Sequence, residues 1–296
     1  MQYYNHKTQV YLNGKFVYAA DTGVDLFSQT LHYGYGVFEG LRAYNTHNGV
    51  RIFKAEEHFD RLQQSCRALS IDYKWNNRRL IEDTYHLLEL NHLRNAYIRP
   101  LVYCGPNMKL SHPGEPHLMI AAWEWSAVLG ERLLRLCTSN YQRHNPNSIH
   151  TEAKVTGHYV TSILASNDAK QRGYDEALLL DHQQYIAQTS GANFFLERNG
   201  KLFTPATGNI FPGITRQTVI GICRQLGIEL VEKQLTLNDV RNGTSAFLCG
   251  TATEIVGVGS IDHITFETDW EDSIGATIKR FYRNLVLEKE NYEVII

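Results

Sequence analysis

Lys154 lies in Thr151-Glu152-Ala153-Lys154-Val155-Thr156-Gly157-His158-Tyr159, among small and apolar neighbours and directly ahead of a strongly helical run. A lysine amine is a poor nucleophile while protonated. Desolvation or a nearby cation that lowers its pKa prepares it for a Schiff base with a carbonyl compound. A solvated surface carries lysines too, so the chemistry depends on the other groups the chain supplies. Pro212-Gly213-Ile214-Thr215 opens a helix whose first N–H groups, positive dipole end and Thr215 hydroxyl make an anion site. Gly250-Thr251-Ala252-Thr253-Glu254 follows a strand and allows close backbone approach, a second set of anion-binding N–H groups. Either loop alone is also an ordinary turn. Tyr97, Arg99, Leu101 and Tyr103 fall on one face of a strand by the two-residue period, so a guanidinium and two phenols point the same way.

The elements that must position these groups follow from periodicity. Val10-Tyr11-Leu12 and Lys15-Phe16-Val17-Tyr18 flank Asn13-Gly14 and read as a hairpin. Leu31 to Tyr44 is an aromatic segment punctuated as G-x-G-x-x-x-G, which lacks the strand-to-helix setting of a dinucleotide loop. Lys54 to Leu69 is a helix with Phe59, Leu62, Cys66 and Leu69 on its buried face, and Arg61 off that stripe can pair with Glu57 at i, i+4. Asn76 and Asn77 cap a second helix that buries Ile81, Tyr85 and Leu88 and ends near Asn91. Strands are expected over Ala96 to Tyr103 and His117 to Trp125, with Pro100 marking an edge or a bulge. Beyond Leu133 to Ser139 strands and helices alternate: a helix from Thr156 to Arg172 with Val160, Ile163 and Leu164 inward, stopped by Gly173, and a strand Ala177 to Leu180. A hairpin turns at Asn199-Gly200, a helix carries Val219, Ile222, Cys223 and Leu226 up to Gly227, and a buried strand runs from Ser245 to Cys249. The change of pattern sets a small N-terminal domain over 1–125, a linker over 126–132 and a larger C-terminal domain over 133–296.

Bulk properties narrow the partners. With 296 residues, 43% hydrophobic and 20% charged, the chain has ample core-forming material. A net charge of −2 and a pI near 6.7 provide no basic field for nucleic acid or anionic membrane. The N-terminal residues lack the apolar core of a signal peptide, and no stretch approaches the ~18 consecutive apolar residues of a membrane span, so the cytoplasm is the expectation. The 5 cysteines form no C-x-x-C pair and the 13 histidines no H-E-x-x-H, so neither disulfides nor a metal is expected and a cofactor should be organic.

A lysine, two anion-binding corners and an arginine-bearing strand suit an enzyme using pyridoxal phosphate, which needs a Schiff base, a phosphate cradle and a group facing the ring nitrogen. Leu31-His32-Tyr33-Gly34 with Val37-Phe38-Glu39-Gly40, then Ala96-Tyr97-Ile98-Arg99-Pro100, Pro212-Gly213-Ile214-Thr215-Arg216 and Gly250-Thr251-Ala252-Thr253-Glu254 together resemble the branched-chain aminotransferases of fold-type IV. The resemblance runs in order from about Val10 to about Arg283. It implies an α/β fold of two domains, a small α+β domain and a larger α/β pseudo-barrel, with pyridoxal 5′-phosphate between them, and a homodimer.

The resemblance also assigns roles. Lys154 carries the cofactor and moves the proton. Arg61 binds the phosphate with Ile214, Thr215 and Thr251. Tyr159 hydrogen-bonds the phenolic oxygen, and Gln188 and Asn193 complete the cofactor set. Thr251 and Ala252 offer N–H groups to the substrate α-carboxylate; Tyr33, Phe38, Gly40 and Trp125 line the side-chain pocket; Tyr97 and Arg99 serve the second carboxylate of glutamate. An apolar wall with Arg99 at its rim lets one pocket take both leucine and glutamate, since an alkyl chain should not face a bare cation.

Two positions depart from the family pattern. Gln188 stands where the family has glutamate, and a neutral amide cannot balance a pyridinium charge, so the ring should be a weaker electron sink. Val128 stands where bacterial members often have tyrosine. Three readings therefore stand. The first is an amino-group exchange between branched-chain L-amino acids and 2-oxoglutarate. The second is another enzyme of the fold, a D-amino acid or amine aminotransferase or an aminodeoxychorismate lyase-like enzyme, against which Tyr97-Ile98-Arg99 argues. The third is a cofactor-binding protein in which Gln188 marks weakened catalysis.

Overall fold

The computed structural model describes residues 3–125 and 132–289. They group into two compact units, one of residues up to 125 together with Ala153–His158, the other of 132–152 and 159 onward. Except for Arg132, the expected linker over 126–132 lies outside the described residues, as does Val128.

In the first unit the chain forms β1 (Gln9–Leu12), β2 (Lys15–Tyr18), α1 (Gln29–Tyr33), β3 (Gly36–Phe38), β4 (Leu41–Thr46) and β5 (Gly49–Ile52). It continues with α2 (Ala55–Ala68), α3 (Asn77–Leu90), β6 (Ala96–Cys104) and β7 (Pro116–Glu124). The strands make one sheet in the order β2-β1-β7-β6-β4-β5, with β3 also on β6. The core under α2 and α3 holds Phe59, Leu62, Cys66, Leu80, Leu87 and Ile98.

Pro100 is central in this sheet, where an edge or a bulge was expected. β6 pairs with β7 without interruption from Ala96↔Glu124 to Cys104↔Pro116. On its other side β3 covers Leu101 to Tyr103 and β4 covers Ala96 to Ile98. The break between those strands falls opposite Pro100, whose missing N–H therefore leaves no acceptor stranded, while its carbonyl accepts the Glu39 N–H at 2.9 Å. In α3 the buried stripe is Leu80, Asp83, Thr84, Leu87 and Leu88, so Ile81 and Tyr85 sit at its margin. Asn76 caps that helix by accepting from the Arg79 N–H.

The second unit opens with β8 (Leu134–Thr138), α4 (Tyr159–Gln171), β9 (Glu176–Leu180), β10 (Ile186–Thr189), β11 (Asn193–Arg198) and β12 (Lys201–Pro205). It continues with α5 (Ile214–Gln225), β13 (Leu230–Lys233), α6 (Leu237–Arg241), β14 (Ser245–Gly250), β15 (Glu254–Ile261), β16 (Ile264–Thr265) and α7 (Ile274–Val286). Its strands run β10-β9-β8-β15-β14-β11-β12-β13, and β10 also pairs with β11, so six of them close into a ring. Such closure satisfies both edges of each ring strand, and the ring encloses Leu178, Phe194, Leu196, Leu248 and Val256.

Helix α4 reverses the expected facing. Val160, Ile163 and Leu164 are 59%, 59% and 43% exposed, and the buried positions are Ser162, Ala165 and Ala169. Small residues let the helix axis approach the sheet, where Ala165 and Ala169 pack with Cys137, Ala177 and Leu179. Periodicity alone favours the larger apolar stripe and misses this.

Candidate active site

Ala153–His158 belong with the first unit, although the change of sequence pattern places them in the second domain. Their backbone explains it: the Lys154 carbonyl accepts the Phe38 N–H at 3.0 Å, and Val155 bridges to Val37. The Lys154 N–H donates to Ser65 Oγ of α2, also at 3.0 Å. With its backbone held by β3 and α2, the half-buried Lys154 carries its Nζ to 5.1 Å from the centroid of the Phe38 ring.

Arg61 does not pair with Glu57, which is taken by Lys54 at 2.7 Å. Its Nε donates to Glu39 Oε1 at 2.7 Å and its Nη2 to Oε2 at 2.9 Å, a bidentate fork. His58 Nδ1 closes on the same Oε2 at 2.7 Å. Burial alone would raise the Glu39 pKa; the Arg61 charge and the hydrogen bonds from His58 and Arg61 outweigh it and hold the carboxyl well below the usual range. Burial pushes His58 down against the pull of Glu39, so His58 is neutral and donates through Nδ1–H.

On the opposite side of the same stretch, Phe38 and Gly40 meet the face of β6. The Arg99 guanidinium lies over the rings of Phe38, Tyr97 and Trp123 at 4.6, 5.4 and 5.9 Å. Its buried Nε has no hydrogen-bond partner among the described residues, which suits an incoming carboxylate. Tyr97 packs against Trp123 and Trp125, each 5.2 Å away between ring centroids. Gly40 is required here: a Cβ on it would come 1.9 Å from the Tyr97 hydroxyl. Tyr33 stands apart, 45% exposed, with its hydroxyl donating to the Met108 carbonyl at 3.3 Å.

In the second unit, Gln188 and Asn193 are directly paired across β10 and β11. Gln188 Oε1 accepts the Phe211 N–H at 2.6 Å, and Asn193 Nδ2 donates to the Phe211 carbonyl at 2.9 Å. Together they clamp the peptide that leads into α5. That helix starts at Gly213 without a side-chain cap, so Ile214 and the buried Thr215 present first-turn N–H groups suited to an anion. A Cβ on Gly213 would lie 2.3 Å from Asn193 Oδ1. Thr251 and Ala252 form the half-buried turn between β14 and β15. Arg143 is buried, and its Nε has no hydrogen-bond partner among the described residues; burial lowers its pKa, opposed by the Tyr159 phenol near it.

In the second unit, a desolvated arginine beside a phenol and uncapped helix N–H groups are donors suited to an anionic group; in the first, a lysine held from both sides of its backbone offers an amine. His58, Trp123 and Arg143 escape a reading by motif, and Glu39 lies inside a motif that assigns it no role. Two of them had a signal: Glu39 is a charge inside an otherwise apolar strand segment, and His58 precedes Arg61 by three on one helix face.

The family model for amino-transferase class IV matches residues 36–261. The branched-chain-amino-acid aminotransferase of Pseudomonas aeruginosa is 35% identical over 286 residues, 95% of this chain and 93% of that protein. The crystal structure of the branched-chain aminotransferase from Thermoproteus uzoniensis with norvaline superimposes with a TM-score of 0.92 at 34% identity, covering 96% of both chains. That of the T.th. branched-chain amino acid aminotransferase complexed with N-(5′-phosphopyridoxyl)-L-glutamate gives 0.90 at 33% identity, covering 95% of both.

Proposed function

The chain belongs to the amino-transferase class IV family, and from that premise we propose that it exchanges amino groups between branched-chain L-amino acids and 2-oxoglutarate, with pyridoxal 5′-phosphate as cofactor. The carrying observation is the Arg99 cage: a cation whose Nε has no partner among the described residues, set among Phe38, Tyr97 and Trp123. Aromatic walls receive an alkyl side chain and the guanidinium receives a second carboxylate, so donor and acceptor share one pocket. Related proteins carry both kinds of ligand, norvaline in one structure and a phosphopyridoxyl glutamate in another.

Pyridoxal phosphate, when bound, supplies an aldehyde for amine exchange and a ring that withdraws electrons from the substrate Cα. Lys154 would hold the cofactor through its Nζ and, when that amine is free, would serve as the base for the substrate Cα proton. Arg61, Ile214, Thr215 and Thr251 hold the phosphate. Tyr159 would orient the ring through its phenolic oxygen, with Arg143 near it. Gln188 and Asn193 hold the α5 N-terminus through Phe211, and Gln188 meets the ring nitrogen with an amide. Thr251 and Ala252 take the α-carboxylate, while Phe38, Gly40, Tyr97 and Trp125 shape the side-chain pocket; Tyr33, expected there too, stands apart from it in this chain.

The protein acts as a homodimer in the cytoplasm. Supporting the dimer, Leu26, Phe27 and Leu110 of the first unit are 75%, 64% and 84% exposed, large apolar side chains that a second copy could cover. Free buried cysteines accord with a reducing compartment.

The test is spectroscopic. The purified protein should show the visible band of lysine-bound cofactor; L-leucine should bleach it, 2-oxoglutarate should restore it and D-alanine should leave it unchanged. Absence of the band, or bleaching by D-alanine alone, sinks the proposal.

A further inference from the structure

Glu39 has no role in the proposed reaction, yet its carboxylate is fully buried and both oxygens are engaged. Sequence alternation puts Phe38 and Gly40 on the pocket side and turns Glu39 toward α2, where His58 and Arg61 meet it one helical turn apart. The Glu39 backbone is fixed as well, by its N–H to the Pro100 carbonyl at 2.9 Å in the middle of the sheet. A buried ion pair is poor value for stability compared with apolar residues of similar size, so its retention needs another reason. A bidentate fork supplies one, because it fixes the plane and direction of a guanidinium that a long side chain otherwise leaves loose.

We propose that Glu39 is a positioning residue for the cofactor phosphate: it orients Arg61 through the fork, and His58 locks the carboxylate from its other side. This rests on Arg61 being a phosphate ligand. It assigns Glu39 no contact with cofactor or substrate.

The experiment compares pyridoxal 5′-phosphate with pyridoxal, which lacks only the phosphate. Each is titrated by absorbance into the full chain stripped of cofactor, and the ratio of the two dissociation constants isolates the phosphate's contribution. Glu39→Gln removes the charge and turns one acceptor into a donor. Glu39→Asp keeps the charge but is one methylene short of reaching both partners. Both should lower the preference for the phosphorylated compound by about tenfold or more, the size expected for misaligned hydrogen bonds to charged groups, while pyridoxal binding stays near wild type.

A merely structural role moves both constants together, and that result overturns the proposal. So does a raised preference in Glu39→Gln, the outcome if the carboxylate only repels the phosphate. Should Glu39→Gln fail to fold, Glu39→Asp carries the test, since it keeps the buried charges balanced. Arg61→Ala separates the two levels. If it leaves the ratio unchanged, the phosphate reading of Arg61 falls and the role of Glu39 with it. If it lowers the ratio while a folded Glu39 variant does not, Glu39 alone is wrongly assigned.

Discussion

At Gln188 the difference between an amide and a carboxylate is one nitrogen with two hydrogens. The structure shows how little the fold asks of that nitrogen: Oε1 takes the Phe211 N–H at 2.6 Å, whereas among the described residues Nε2 reaches the Thr189 carbonyl at a long 3.4 Å. Glutamate can accept the same N–H, so Gln188→Glu should keep the clamp on Phe211. It should raise kcat with leucine, because a carboxylate facing the ring nitrogen favours the protonated, more electron-withdrawing ring. The cofactor-free variant should lose about 1–3 kcal/mol in urea unfolding, since a buried carboxylate then lacks a counter-charge. Steady-state kinetics with leucine and 2-oxoglutarate decide the first point, and an unchanged or reduced kcat counts against it.

Helix α2 shows how an element carries chemistry on one side and packing on the other. Phe59, Leu62 and Cys66 seal the core, while His58 and Arg61 hold Glu39. The helix itself was legible from spacing, and so was the burial of Phe59, Leu62 and Cys66, but not that of His58 and Ser65. Arg61's partner was not, because Glu57 lies nearby in sequence and Glu39 is reached only once β3 has packed on the helix. α4 shows the opposite limit: its large apolar residues suggested the wrong face, and the small ones that decide how closely it packs leave a weak pattern. The cluster on α2 also sets a pH response. His58, facing Glu39, Arg61 and Lys154, has its pKa lowered in the folded state from an ordinary 6.5. Below that pH the unfolded chain binds the proton and the folded chain resists it, so stability falls as pH drops. Glu39, lowered from 4.5, adds stability that is lost only on further acidification. Wild type should therefore lose stability relative to His58→Gln between about pH 7 and pH 5. Urea midpoints of both proteins across that range measure it, and parallel curves argue against a neutral buried His58.

For the molecule as a whole, both hairpins, the long helices and the positions of the Gly213 and Thr251 turns were readable because each depends on local residue types. The central place of Pro100 and the attachment of Lys154 to the first unit were not, since each depends on pairing between distant segments, and ring closure was expected only through the family resemblance. Burial also governs the thiols. It pushes Cys66 up to about 12 and Cys104 and Cys223 each to about 11, and raises Cys137 and Cys249 too. A thiol-specific disulfide reagent should thus react with none of the 5 cysteines of the native protein on the timescale of minutes and with all of them in urea. Rapid labelling of any native cysteine contradicts this. The closed ring has a further consequence, for synthesis. β8 lies between β9 and β15 as parallel neighbours, and β15 ends at Ile261. A nascent chain must therefore carry β8 with one ladder open until more than a hundred further residues have been made. Long-range parallel pairing of this kind is slow to form and exposed while it waits, so the last strands to leave the ribosome determine when the first strand of the ring becomes safe from aggregation.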